Sequence, residues 1–343
     1  MAFTTINKST DYFNTKLYTG TGSSQVLTGV GFSPDLIWTA TRNESEIRPI
    51  NNTINGINNY LRSNDIDQLE TGGSNITAQS SDGYTVGTTD RFNQSSNTFV
   101  SWNWKANGQG SSNTDGSINT TYTSASTTSG FSISTYTGTG ANATIGHGLG
   151  VAPQVVIYKR TNTTGNWFMY NKNIGNTKYL NLDATSAVQT YNVFQNTDPS
   201  STLLYVSGDS GANASSGTYV AYCFAEKQGY SKMGSYIGNG NADGTFVYTG
   251  FKPAFVLIKD SGRAESWYIF DNRRLGYNGG MADLIANSTA TESGSSATLL
   301  DFLSNGFKLT GTTDHLNGSG QNFIYMAFAE TPFVANSGES IPT

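Results

Sequence analysis

Few residues in this chain could carry chemistry: one cysteine, two histidines and 24 carboxylates among 343 residues. Cys223 would need a neighbouring base to act as a nucleophile. His147 and His315 stand far apart in the chain, which supports neither a histidine metal cluster nor a serine, histidine and aspartate triad. Two acids held about 5 to 9 Å apart can cleave a polysaccharide, and Asp65 with Asp67, or Glu265 with Asp271, are the pairs to nominate. The run Asn64, Asp65, Ile66, Asp67 offers oxygen ligands for Ca²⁺ but lacks the regular spacing and closing glutamate of a calcium loop. The glycines of Tyr18, Thr19, Gly20, Thr21 and Gly22 invite comparison with a phosphate loop, yet no lysine with a following serine or threonine comes after them. Trp167 and Trp267 could stack on sugar rings if exposed.

The sequence supplies its own test of these candidates, because it repeats. Three stretches open alike, at Tyr18 to Gly22, Tyr136 to Gly140 and Tyr236 to Gly240; each then reaches a proline (Pro34, Pro153, Pro253) followed by an apolar run. Each closes on an aromatic-rich segment, at 99–106, 219–226 and 323–330. A residue required by a shared site should recur, whereas a packing position varies within one size class. Cys223 falls opposite Asn103 and Ala327; His147 opposite Thr28 or Gly29 and Val247; His315 opposite Arg91 and Gly211. Neither acid pair recurs. Trp167 and Trp267 do recur in register, with Arg48 in the first copy, and that favours a core role. The expectation is a non-enzymatic protein with no catalytic, cofactor-binding or metal-binding residue, and with receptor contacts that the sequence does not assign.

The elements that carry these residues read as strands. The runs after each proline are short, rich in valine, isoleucine and aromatics, and bounded by glycine and proline. In the closing segments, alternation puts Val100, Trp102 and Trp104 on one face, matched by Val220, Tyr222 and Phe224 and by Ile324, Met326 and Phe328. Phe99, Tyr219 and Phe323 take the other face. Short helical turns are expected only at 57–62 and 281–286. The class is all-β, expected as three tandem β-sandwich (jelly-roll-like) domains at 1–107, 131–229 and 230–343, the last with a short C-terminal tail. The Ser, Thr, Asn and Gly-rich stretch 108–130 is expected as a linker or an extra edge strand. Trp102 and Phe328 are expected to be buried in separate sandwiches.

Composition narrows the partners. A net charge of -5 and a pI near 5.0 give no general attraction for phosphate backbones or anionic lipid, so neither nucleic acid nor membrane insertion is expected. The apolar runs are far shorter than a membrane span, and the opening residues show no secretion signal. A single cysteine leaves no intramolecular disulfide.

The motifs Thr144-Ile-Gly-His-Gly-Leu-Gly-Val-Ala-Pro153, Asn241-Ala-Asp-Gly-Thr-Phe-Val-Tyr-Thr-Gly250 and Tyr325-Met-Ala-Phe-Ala-Glu330, with the Tyr-Thr-Gly-Thr-Gly openings, resemble virion structural proteins of marine bacteriophages, including cyanophages, often described as tail-fibre-like. The resemblance runs from about Phe13 to Val334. It implies a virion component, assembled in the host cytoplasm, surface-exposed and self-associating, with other tail or capsid proteins as partners and no catalytic set to carry over. The first expectation is a tail-associated adhesin whose polar and aromatic loops meet a host carbohydrate or protein. The second is a capsid decoration or head-fibre protein. A polysaccharide depolymerase is the third.

Overall fold

Glycine and proline divide the chain into short apolar and β-branched runs, and these become strands throughout. The computed structural model describes residues 4–274, 278, 282–293 and 299–332. It is all-β and sandwich-like, with one strand plan used three times. The first unit carries β1 (Phe13–Thr19), β2 (Gln25–Thr28), β3 (Leu36–Thr41), β4 (Pro49–Asn52), β5 (Tyr60–Arg62), β6 (Ile76–Ser80), β7 (Gly83–Val86), α1 (Asp90–Asn93) and β8 (Thr98–Trp104). The second carries β9 (Tyr122–Ser126), β10 (Phe131–Thr137), β11 (Ala143–Gly146), β12 (Val155–Arg160), β13 (Trp167–Asn171), β14 (Lys178–Asn181), β15 (Gln189–Thr190), β16 (Leu203–Val206), α2 (Ser210–Asn213) and β17 (Thr218–Phe224). The third carries β18 (Ser231–Ile237), β19 (Phe246–Tyr248), β20 (Phe251–Asp260), β21 (Trp267–Asp271), β22 (Leu284–Ile285), β23 (Leu300–Leu303), β24 (Gly306–Leu309), α3 (Asp314–Asn317) and β25 (Asn322–Pro332).

Each unit pairs a large antiparallel sheet with a small one. The large sheets are ordered β1-β8-β3-β4-β5, β15-β14-β13-β12-β17-β10-β9 and β18-β25-β20-β21-β22; the small ones are β2-β7-β6, β11-β16 and β19-β24-β23. The closing strands β8, β17 and β25 thus sit inside their sheets, as their two apolar faces require. Within the stretch 108–130, β9 adds an edge strand on β10.

Two local expectations fail. Residues 60–62 and 284–285 are strands, not helical turns, because their register on β4 and β21 extends each large sheet; Met281 lies outside the described residues. Among the described residues the α-helices are three four-residue turns, α1, α2 and α3, at matching points before the closing strands, and a 3-10 turn at Ser9–Asp11 precedes β1.

The larger correction concerns ownership of the core. Outer faces of the large sheets pack on the small sheets and give each unit a private cluster: Tyr84, Val86 and Phe92 in the first, Tyr136, Tyr158 and Tyr219 in the second, Phe307, Leu309 and Phe323 in the third. The inner faces of all three pack against one another. Trp102, Trp104, Tyr222, Phe224, Met326 and Phe328 belong to a single apolar cluster, so Trp102 and Phe328 do not lie in separate sandwiches. At its centre the register-matched trio Trp104, Phe224 and Phe328 meet pairwise, with ring centroids 6.4, 5.5 and 6.0 Å apart. Area supports the same reading. Three separate domains of one-third this mass would expose about 18,000 Å² and a single folded chain about 13,500 Å², whereas this molecule exposes 12065 Å². Alternation in the sequence reported that the inner faces were buried, but not against what.

Candidate functional site

The side chains with the most chemistry sit at three seams where the units join. Strand register pairs Lys159 with Trp167 and Lys259 with Trp267 on the adjacent strand, and continuing the register of β4 back by one residue beyond its start sets Arg48 at the position of the two tryptophans. Each unit passes a buried cation to the loop of a neighbour. Arg48 donates to the carbonyls of Ile285 and Ala290 in the third unit, Lys159 Nζ to Ile66 O in the first at 2.8 Å, and Lys259 Nζ to Thr185 O in the second at 3.3 Å. Indole N–H groups follow the same path: Trp167 Nε1 donates to Arg62 O at 2.8 Å and Trp267 Nε1 to Asn181 O at 2.9 Å. In the first unit Trp38 Nε1 donates to Ser63 Oγ, which donates on to Ala286 O at 2.7 Å. First to third, third to second and second to first closes a ring. Burial lowers all three cations, Arg48 to about 10 and both lysines to about 8, since desolvation disfavours the charged form.

A second set of polar contacts crosses the inner core at two of the three seams. Trp102 Nε1 donates to Asp271 Oδ2 at 3.0 Å, and Asn52 Nδ2 donates to Tyr222 Oη at 2.8 Å. The third seam places Met326 and Asn171 in the matching register positions, and there Asn171 Nδ2, buried, has no hydrogen-bond partner. Asp271 is also held by Arg274 at 2.6 Å; Arg274 reaches Glu292 at 3.0 Å, and Glu292 clamps Arg42 of the first unit through both its oxygens. That chain alternates sign and returns to neutrality, as a buried ionic network must.

The sequence candidates are consumed by structure. Cys223 is fully buried, and burial pushes its thiol up to about 12, which keeps the thiolate out of reach at neutral pH. His147 is fully buried, its Nδ1 accepting Leu149 N–H at 3.3 Å and its Nε2 3.2 Å from Ser200 O; burial lowers its pKa, so the neutral ring is favoured. His315 stacks on Tyr268 at 4.6 Å, and burial lowers its pKa too. Asp65, Asp67 and Glu70 all turn onto one guanidinium, Arg62, at 3.7, 2.6 and 2.8 Å, which leaves the acidic loop as an ion-pair cluster. Asp271 faces the core while Glu265 lies near Tyr268 and His315, so this pair does not bracket a cleft. Trp167 and Trp267 are 0% and 1% exposed and cannot stack on a sugar. No group of three or more metal-ligating side chains occurs among the described residues, and no helix among them is long and apolar enough to cross a membrane.

The opening turns, Tyr-Thr-Gly-Thr-Gly in the first two units and Tyr-Ile-Gly-Asn-Gly in the third, are fastened by a residue that the sequence reading missed. The last residue of each short helix is a fully buried asparagine: Asn93, Asn213 and Asn317. Its carbonyl accepts the amide of the residue after the turn's first glycine (Thr21, Thr139, Asn239), and its amide donates to main-chain carbonyls on both sides. The opening tyrosine donates to the helix carbonyl just before it, from Tyr18 to Phe92, Tyr136 to Ala212 and Tyr236 to Leu316. The first glycine is required because a Cβ at Gly20, Gly138 or Gly238 would lie 2.1, 2.3 or 2.4 Å from a carbonyl oxygen of the following segment. An asparagine at a fixed distance before each closing strand was the available signal.

The surface grooves open to a ligand are shallow and largely polar, and charged side chains line two of them, Lys178 in one and Glu226 with Lys232 in another. The central cavity, about 30 Å³, has apolar walls from all three units and no room for an organic ligand. A surface groove of about 290 Å³ lies where the first and second units meet, with Asn55 on one side, Thr121, Tyr122, Thr135, Thr137, Thr161 and Thr218 on the other. A groove of about 280 Å³ lies at the seam of the second and third units, among Asn173, Lys178, Ser235, Ser261 and Asn322. In the first of these grooves, hydroxyl and amide groups with one exposed tyrosine can hydrogen-bond and stack on a neutral polar ligand, and they offer no general acid or base.

No curated protein and no solved structure matches this chain. One family does, described as Domain of unknown function (DUF7483), over residues 8–332 and therefore across all three units. The chain belongs to that family.

Proposed function

We propose that this is a non-enzymatic structural protein of a bacteriophage particle, exposed on its surface and tail-associated, with a role in host attachment. The observation that carries the reading is the fate of the reactive side chains. Cys223, His147, Asp271, Lys159 and Lys259 are spent inside the molecule, while its seam grooves present hydroxyls, amides, Tyr122 and one charged side chain, Lys178. A protein arranged in this way binds through shape and hydrogen bonding. The phage assignment draws on the motif resemblance, and host carbohydrate or protein is the partner that such grooves suit.

Capsid decoration is the second reading. It draws on the ring of seams, since a rigid body of three similar units suits a site of three-fold symmetry in a lattice. Antibody labelling of particles, combined with binding of purified protein to host cells, separates the two. Label at the tail with saturable cell binding supports attachment; label over the capsid faces without cell binding replaces it by decoration. Release of oligosaccharides from host glycans, lost on changing one acid, would overturn the non-enzymatic reading.

A further inference from the structure

The small sheets end on equivalent strands, β2, β11 and β19, and among the described residues these edges are not all treated alike. In the second unit the edge is occupied. Ile118 N–H donates to Thr144 O at 2.9 Å, Ser117 Oγ accepts from Thr144 N–H at 2.9 Å, and Ile118 bridges Ile145 in parallel. Among the described residues the third unit has no such cover. There Thr245 O accepts from Leu309 N–H of β24 and Thr249 N–H donates to Asn305 O just before that strand, so by antiparallel alternation the main-chain groups of Phe246 and Tyr248 point away from the sheet. No described residue hydrogen-bonds to them, and their side chains are 45% and 54% exposed.

We propose that β19 is a docking edge for a second copy of this chain, paired antiparallel about a two-fold axis through Val247. Residues 245–249 read Thr-Phe-Val-Tyr-Thr, nearly the same in both directions. That symmetry sets Phe246 of each copy opposite Tyr248 of the other, the two exchanging main-chain hydrogen bonds and laying aromatic side chains against each other on the outer face. The strand has no charge, so the axis brings no like charges together, and it lacks the lysine, proline or bulge with which solitary edges discourage pairing. Ile237, 60% exposed and joined to the same strand through Thr245 Oγ1, widens the apolar patch. The contact is smaller than the interface of a stable dimer, so the association is weak and reversible. This inference does not depend on the attachment reading.

Analytical ultracentrifugation of the full chain over a wide concentration range tests it. The wild type is expected to pass from monomer to dimer at micromolar to submillimolar concentration. Phe246→Pro removes an outward N–H and no ladder bond, so it should weaken dimerisation at least tenfold and leave the melting temperature unchanged. Tyr248→Lys provides a second variant should the proline disturb folding, and Val26→Pro on the open edge of the first unit should leave the dimer intact. A chain that stays monomeric throughout, a dimer indifferent to both β19 variants, or one abolished by Val26→Pro would each overturn the proposal. So would a monomer that instead binds a synthetic peptide copying residues 111–121, since β19 would then be an edge for a foreign strand.

Discussion

The two faces of the strands β8, β17 and β25 carry similar aromatic side chains with different allegiance. On the outer face Phe99, Tyr219 and Phe323 stack on the opening tyrosines Tyr18, Tyr136 and Tyr236 of their own units, at 4.9, 5.3 and 4.9 Å. On the inner face Trp104, Phe224 and Phe328 meet one another across units. The outer pairs define a unit and the inner trio joins three. Hydrophobicity alone is silent on the difference; the polar partners decide it, because the outer tyrosines are tied to a helix of the same unit while Trp102, Trp167 and Trp267 direct their N–H groups to a neighbour.

The sharpest way to break this comparison is to truncate one ring on each face. Trp104→Ala removes contacts with Phe13, Phe224, Phe255 and Phe328 and should cost about 3 to 5 kcal/mol. Native-state hydrogen exchange should then accelerate in all three units. Phe99→Ala, on the outer face, should accelerate exchange chiefly in the first unit; equal spread from both would erase the distinction between faces. Next in size is Asn93→Ala, which strips the Thr21 amide and two carbonyls of their partner and should cost about 1 to 3 kcal/mol. Urea denaturation reads it, and a neutral result would show that the turns hold without their asparagine.

The seam cations predict a dependence on pH with a definite sign. Burial holds Lys159 and Lys259 at about 8 in the folded state against 10.5 ordinarily, so between these values the unfolded chain binds protons that the folded chain does not. Stability should therefore rise as pH climbs from 8, and be lower below it, where both lysines are charged in either state. Cys223, raised by burial from 9.0, opposes the gain above pH 9, and the buried tyrosines oppose it above pH 10. Denaturation midpoints at pH 7, 8 and 9 give the slope, and Lys159→Met should flatten it; a wild-type slope of the opposite sign would mean that the seam lysines stay charged. The smallest effect expected is at Cys223, which should resist alkylation in native buffer and react on unfolding; rapid native labelling would contradict its burial.

Repeats, strand class and the internal place of the closing strands were legible because anchors and alternation are local properties of the chain. The assembly was not. The same alternation serves a face buried in a private sandwich and one buried against another copy, so Trp102 and Phe328 gave no sign of lying in one core. The departure at Arg48 was visible and meaningful, since a seam position can be filled by an arginine, or by a tryptophan beside a lysine, with the same carbonyls reached across the joint. The short helices escaped because four residues carry no period, and the asparagine of each reaches its turn through contacts more than 70 residues away in sequence.

Differential scanning calorimetry of the intact chain tests the shared core most directly. One transition is predicted, with calorimetric and van't Hoff enthalpies equal, and Trp104→Ala should move it as a whole. Separate transitions, of which that substitution lowers only one, would show that the three units fold independently.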